Sequence, residues 1–322
     1  MKGTRMYAVI AGLLALHGVY GETASGRNDT AIGNAVNKDR QCQIVPDETY
    51  LYAKKDTCDL FLDIYDAGNI AGDDCVSKPT VIFMFGGGFA NGSRDSGRYR
   101  EWFSSMASEG FRIVSIDYRL GLKDMGNIGP KQAVQLEKAV RLAVEDLFSA
   151  TSFLIQNSET LGIDPDKIVA CGSSAGAVAV MQGEYEICRR SACTDLLPEG
   201  FNYAGTISFA GGVISGNGKL EYGGKPCPAL IFHGTDDKAV PYRQLKAGRK
   251  VFYGGSRIAA KYRKSGFGYV MYHYEGLGHE VSEYMSRTTD LQTGFLQAVA
   301  SGEKICPDDI KIKKQPGSPV NP

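Results

Sequence analysis

From residue 60 onward the chain alternates short apolar runs with longer stretches of helical periodicity. That alternation constrains the fold more than any other feature. Leu60, Leu62 and Ile64 alternate with Phe61, Asp63 and Tyr65, which predicts an early strand. Residues 80–85 form a β-rich run that ends in glycines, and residues 112–117 form another. Ala133, Leu136, Val140, Ala143, Leu147 and Leu154 then mark one face of a long helix. Asp164-Pro165-Asp166 turns the chain into a short strand at 167–171. Further strands are predicted at 204–209, 229–233 and 269–274, with helical stretches between the last of them. Strands separated by helices pair in parallel through crossovers. The expectation is therefore an α/β fold with a mostly parallel central sheet and helices on both faces. No internal repeat, low-complexity tract or long linker divides the chain, so residues 48–303 are expected to form one domain.

The 322 residues carry 36 basic and 36 acidic side chains. Nucleic-acid and anionic-membrane partners usually show as a basic excess, and none is present. Glycine is the outlier, at 40 residues, above the usual ~7%. No G-X-Y period accompanies it, which excludes collagen and assigns the excess to tight turns. At the start, Lys2 and Arg5 precede an apolar run of 11 residues, 6–16. Val19 and Gly21 then offer a small-residue cleavage site, so residues 1–21 read as a signal peptide cut near Gly21–Glu22. The run is too short to span a bilayer, which takes about 20 apolar residues. The expectation is an exported protein, periplasmic or secreted, with no membrane anchor. Residues 22–47 read as an irregular lead-in and 304–322 as a flexible tail.

Export permits disulfides without demanding them. Cys171 falls in a predicted buried strand and is expected to be free. The remaining seven (Cys42, Cys58, Cys75, Cys188, Cys193, Cys227 and Cys306) cannot all pair within one chain. Cys188 and Cys193 lack a second ligand pair at zinc spacing, so no metal site is expected.

Gly172-Ser173-Ser174-Ala175-Gly176 is a G-x-S-x-G pattern placed directly after a predicted strand and before a helix. A serine on that sharp turn takes a strained backbone, and its hydroxyl is lifted above the sheet. The following N–H groups, at a helix N-terminus, face a developing oxyanion. The plainer reading is a helix-capping serine; the strand–turn–helix context favours a nucleophile. Phe85-Gly86-Gly87-Gly88-Phe89 also ends a predicted strand. It reads as an oxyanion loop, a flexible turn or a phosphate-binding loop, and no Lys-Ser/Thr follows to make it a P-loop.

A nucleophilic serine needs a base, and four histidines are available. His17 leaves with the signal peptide, and His273 lies inside a predicted strand, where a structural role is expected. His233 ends a strand before Gly234. His279 follows the last predicted strand in Glu275-Gly276-Leu277-Gly278-His279, and elimination favours it. Asp236 and Asp237 are the rival acids. Either gives the chain order Ser, Asp, His of one hydrolase architecture, with all three after strand ends where parallel sheets place ligands.

With these four motifs together, residues 48–300 resemble the α/β-hydrolase fold. The closest resemblance is to carboxylesterases and lipases with a Gly-Gly-Gly-Phe loop and a Gly-x-Ser-Ala-Gly elbow. Within these it is similar to exported bacterial carboxylesterases, feruloyl-esterase-like enzymes included. The resemblance implies Ser174 as nucleophile and His279 as base. It also implies Asp237 as acid, through His-Gly-x-x-Asp-x-x-Val-Pro, and Gly87, Gly88 and Ala175 as oxyanion donors. Many relatives carry His before the triple glycine where this chain has Phe85. Many also carry Asp or Glu at Ser173 and Gly at Ala177.

The implied chemistry is a two-step acyl transfer through an acyl-enzyme, needing no metal or organic cofactor. The expected substrate is a small-molecule or polysaccharide-linked ester, such as an acetyl or feruloyl ester of plant polysaccharide. Only 62 residues separate Ser174 from Asp237, which leaves no room there for a large lid. Phe89, Asn91, Arg94 and the stretch 121–129 are expected to shape the acyl pocket. A serine exopeptidase of the same fold and a non-catalytic binding module are the alternatives.

Overall fold

A computed structural model describes residues 44–56, 58–66, 78–123 and 132–313. The predicted signal peptide, nearly all of the lead-in, Cys42, Cys75 and most of 121–129 lie outside the described residues. The first strands are β1 (Glu48–Lys55), β2 (Cys58–Tyr65), β3 (Thr80–Met84), β4 (Arg112–Ile116), β5 (Ile168–Ser173) and β6 (Gly205–Phe209). They are followed by β7 (Gly212–Ser215), β8 (Ala229–Gly234), β9 (Gln244–Ala247), β10 (Lys250–Gly254), β11 (Tyr269–Glu275) and β12 (Asp308–Lys313). Nine of them form one sheet in the order β1-β2-β4-β3-β5-β6-β8-β11-β12. Every pair from β4 to β12 is parallel; only β1–β2 and β2–β4 are antiparallel. Central strands such as β3, β5 and β6 are buried at every position. They read as continuous apolar runs because both of their faces are covered.

The main helices are α1 (Arg100–Ser108), α2 (Gln132–Gln156), α3 (Ala175–Arg189), α4 (Gly255–Ser265) and α5 (Thr289–Ala300). The steps β3→β4 and β4→β5 run in opposite directions across the sheet. Right-handed crossovers therefore put α1 and α2 on opposite faces. Trp102 of α1 donates to Gln292 of α5 at 2.8 Å, which joins those two helices. On the other face Met181 and Tyr185 of α3 meet Ile258 and Tyr262 of α4 over Ile231 and Met271.

Two features depart from the sequence expectation. Between the strands predicted at 229–233 and 269–274 the chain is not wholly helical. β9 and β10 form a hairpin around Gly248, and with β7 they build a small antiparallel sheet beside the main one. The tail predicted to be flexible also needs correction. Residues 308–313 dock as β12, parallel to β11, with Ile310 and Ile312 packed against the core. Its Asp-Asp-Ile-Lys-Ile-Lys sequence is charged because it is an edge strand with one neighbour and a wet side. All six cysteines among the described residues are free thiols, with Cys171 fully buried as expected.

Candidate active site

Four chain segments converge at the C-terminal edge of the parallel strands. Ser174 follows β5, Asp237 follows β8, His279 follows β11, and the triple glycine follows β3. Ser174 has φ 51° and ψ −115°, a strained conformation for a residue with a side chain. The chain reverses there from strand into α3. A Cβ on Gly176 would run into the Met84 carbonyl, so only glycine lets the helix start this close to β3. Ser174 N–H donates to Phe209 O at 2.8 Å, which fixes the elbow to the neighbouring strand.

Ser174 Oγ lies 2.7 Å from His279 Nε2, and His279 Nδ1 lies 2.8 Å from Asp237 Oδ2. The carboxylate can only accept, so Nδ1 carries the proton and Nε2 offers its lone pair to the serine hydroxyl. The Asp237 side chain is fully buried, whereas that of His279 is 11% exposed. The acid is thus sealed beneath the base, and the base reaches the protein surface. Burial pushes the Asp237 carboxyl up. Hydrogen bonds from His233 and His279, with their charge, outweigh it and lower its pKa to about 2. Ala239 and Val240 N–H both donate to Asp237 Oδ1 at 2.9 Å. Asp236, the rival acid, is exposed and bonds only its neighbour Thr235 among the side-chain contacts described.

The loops carrying acid and base are tied together. Asp236 N–H donates to Leu277 O at 2.9 Å and Thr235 N–H to Tyr274 O at 3.0 Å. Three contacts escaped sequence reasoning. His233, weighed there as a base, lies beneath the acid, with Nε2 3.1 Å from Val240 O and 3.4 Å from Asp237 Oδ2. Gly255 N–H points at its Nδ1, which places the ring proton on Nε2. Ser173 Oγ donates to Ser282 O at 2.7 Å, joining the elbow to the turn that holds His279. Two tyrosines bond the backbone at Phe85 and Gly86. Only the spacing of His233 from Asp237 was visible beforehand; the other two contacts join residues far apart in sequence. His273 has the structural role expected of it, between Tyr242 Oη and Asp309 Oδ1 at 2.7 Å each.

Ala175 opens α3, so its N–H has no partner within the helix. A Cβ built on Gly86 would stand 3.2 Å from Ser174 Cβ, so the glycine loop passes directly over the elbow. Phe89 and Arg94 do not face an acyl pocket. Phe89 is fully buried, edge-on to Tyr118, and Arg94 turns into the sheet edge to meet Asp117 at 2.7 Å and Asp63 at 3.0 Å.

The fold that carries this site has known counterparts. Thermogutta terrifontis esterase 2 superposes with a TM-score of 0.54 at 25% identity, covering 80% of this chain and 95% of that one. Its propionate-bound and butyrate-bound forms give the same TM-score and identity. The chain has the α/β-hydrolase fold. Its residues 62–191 match the family described as BD-FAE. Neuroligin-like protein glit-1 of Caenorhabditis elegans is 28% identical over 143 residues, 43% of the chain and 18% of that protein. Gut esterase 1 of Caenorhabditis briggsae is 29% identical over 124 residues, 35% of the chain and 21% of the esterase. The matched part of the chain thus spans about a fifth of the length of these curated relatives.

Proposed function

We propose that the chain is a serine carboxylic ester hydrolase. The observation that carries this reading is the unbroken line from Ser174 Oγ through His279 to the buried Asp237, at 2.7 and 2.8 Å. His279 Nε2 takes the hydroxyl proton as Ser174 Oγ attacks the ester carbonyl carbon. Gly87, Gly88 and Ala175 N–H groups receive the oxyanion. As the tetrahedral intermediate collapses, His279 returns the proton to the leaving alcohol. Water then repeats the cycle on the acyl-enzyme and frees the acid. Asp237, ionised throughout, holds the imidazole in the tautomer this requires.

The acyl group is short or aromatic, carried as an acetyl or feruloyl ester on plant polysaccharide. The match to the BD-FAE family and the propionate- and butyrate-bound forms of the structural neighbour support this choice. The protein works outside the cytoplasm after cleavage near Gly21, on the strength of the charged and apolar pattern at 1–21.

The test is turnover of p-nitrophenyl acetate, p-nitrophenyl butyrate, methyl ferulate and an aminoacyl-p-nitroanilide, with Ser174→Ala alongside. The expected result is ester cleavage, reduced about 10⁴-fold or more by the substitution. Preferred cleavage of the anilide would move the assignment to a peptidase. Ester turnover that survives Ser174→Ala would remove the serine from the mechanism.

A further inference from the structure

Three consecutive glycines make the least constrained backbone a chain can offer. A donor misplaced by about 1 Å can cost about 10²-fold in rate. Something must therefore hold the loop at 86–88, and the residue before it, Phe85, has no polar side chain to do so. The Phe85 carbonyl and the Gly86 N–H are the two polar ends of one peptide unit. Tyr118 Oη donates to Phe85 O at 2.8 Å, and Gly86 N–H donates to Tyr99 Oη at 2.9 Å. Both tyrosines are buried, at 3% and 4% exposure. Burial pushes the Tyr118 phenol well above its usual range, so it stays a donor. The Tyr118 ring stacks on Phe85 at 4.4 Å, and the Tyr99 ring stands edge-on to Phe83 at 4.7 Å. One peptide plane is thus fixed at its oxygen, at its nitrogen and through its side chain.

The consequence reaches the next two peptide units, which carry the N–H groups of Gly87 and Gly88. Gly87 has φ 141°, and its carbonyl accepts from Ala90 and Asn91 N–H at 3.1 Å each. In a trans peptide the N–H points opposite to the carbonyl. The Gly88 N–H is therefore turned away from Ala90 and Asn91. Downstream, Phe89 O accepts from Leu122 N–H at 2.9 Å. With the exit held by backbone bonds, the entry is the remaining degree of freedom, and two phenols remove it.

We propose that Tyr118 and Tyr99 are positioning residues for the oxyanion hole, acting through the Phe85–Gly86 peptide. The proposal rests on the serine-hydrolase reading of the site and deepens it. Tyr118→Phe and Tyr99→Phe keep each ring and delete only the hydroxyl, so the aromatic packing survives. Each variant is compared with wild type for kcat and KM on p-nitrophenyl butyrate and for the bimolecular rate of inactivation by a fluorophosphonate. Rates are normalised to the titrated concentration of active sites, and Tm is recorded. Both reactions build negative charge on an oxygen in the hole. The expected result is that kcat and the inactivation rate fall together, about 10-fold or more in each variant. KM stays within about twofold, because ground-state binding makes little use of the hole. A role in stability alone would lower Tm and leave the rate per active site unchanged, and that outcome overturns the proposal. So do variants with wild-type rates. A wild-type protein that takes up no fluorophosphonate at Ser174 overturns the reading of the site itself, and this proposal with it.

Discussion

Asp237 is held more tightly than any other side chain of the site. Its Oδ1 accepts two backbone N–H groups, and its Oδ2 faces His279 and His233. Burial works against the charge, but the histidine contacts win and set the pKa at about 2. A folded pKa below the unfolded value, about 3.9, gives stability that is present above that value. It is lost as pH falls through about 2. The acid therefore stays ionised down to roughly pH 4, and any loss of activity above that pH belongs to another group. Asp237→Asn is expected to lower kcat about 10⁴-fold with KM little changed, since an amide N–H would face His279 and reverse its tautomer. Steady-state kinetics on p-nitrophenyl butyrate decides it, and a loss below about tenfold would refute the role. Ser174, Asp237 and His279, which the structure brings together, could be singled out because each lies within four residues of a strand end. The choice between Asp236 and Asp237 was not settled by the residues themselves, because burial separates them and burial is a tertiary property. The contacts of Ser173, Tyr99 and Tyr118 were hidden for the same reason.

At the scale of elements, the strands buried on both faces were readable as apolar runs, and the long α2 as a periodic stripe. The β9–β10 hairpin and β12 were not, because strands at a margin keep charged residues on their wet side. α3 holds a second surprise. It begins at the nucleophile elbow and carries Glu184 fully buried on its inner side. The Glu184 carboxylate accepts from Cys227 N–H at 2.8 Å and Cys188 Sγ at 3.4 Å. Burial raises its pKa, and the bonds from Cys227 and Cys188 only partly offset that. A raised folded pKa means stability that is fully present below the ordinary carboxylate range and is lost as pH rises through the folded value. Glu184→Gln keeps the shape and removes the charge. Its Tm is expected to exceed wild type at pH 8 and to converge with it toward pH 4. Each kcal/mol relieved is worth about 2–4 °C. Thermal scans across that range check it; equal Tm values at pH 8 would show that the buried charge costs nothing.

For the molecule as a whole, the candidate site and the strand that closes the sheet lie in different parts of one sheet. The triple glycine, Ser174, Asp237 and His279 follow β3, β5, β8 and β11, all inside the sheet, while β12 lies beyond them at its edge. β12 does more than add backbone hydrogen bonds. Asp309 meets His273 at 2.7 Å and pairs with Arg263 of α4, and the Tyr269 hydroxyl donates to the same carboxylate. His273 in turn touches Tyr242 at 2.7 Å, on the segment that leads away from Asp237. Ending the chain after Pro307 would strip β11 of one of its two neighbours, leaving only β8, and leave His273, Arg263 and Tyr269 without their common acceptor. A Tm lower by roughly 5–10 °C is expected, from the loss of about 2–3 kcal/mol of charge-assisted bonding and apolar burial. With one edge newly exposed, the mostly apolar β11 would also make the shortened protein prone to edge-to-edge association, visible as higher-order species in light scattering. The rate per titrated active site at 25 °C should stay within about twofold of full length, because none of Ser174, Asp237, His279 and the triple glycine lies on β12. An unchanged Tm would show that the strand docks without supporting the sheet. A collapse of the rate in a protein that remains folded would show instead that the line from Asp309 through His273 to Tyr242 sets the position of Asp237.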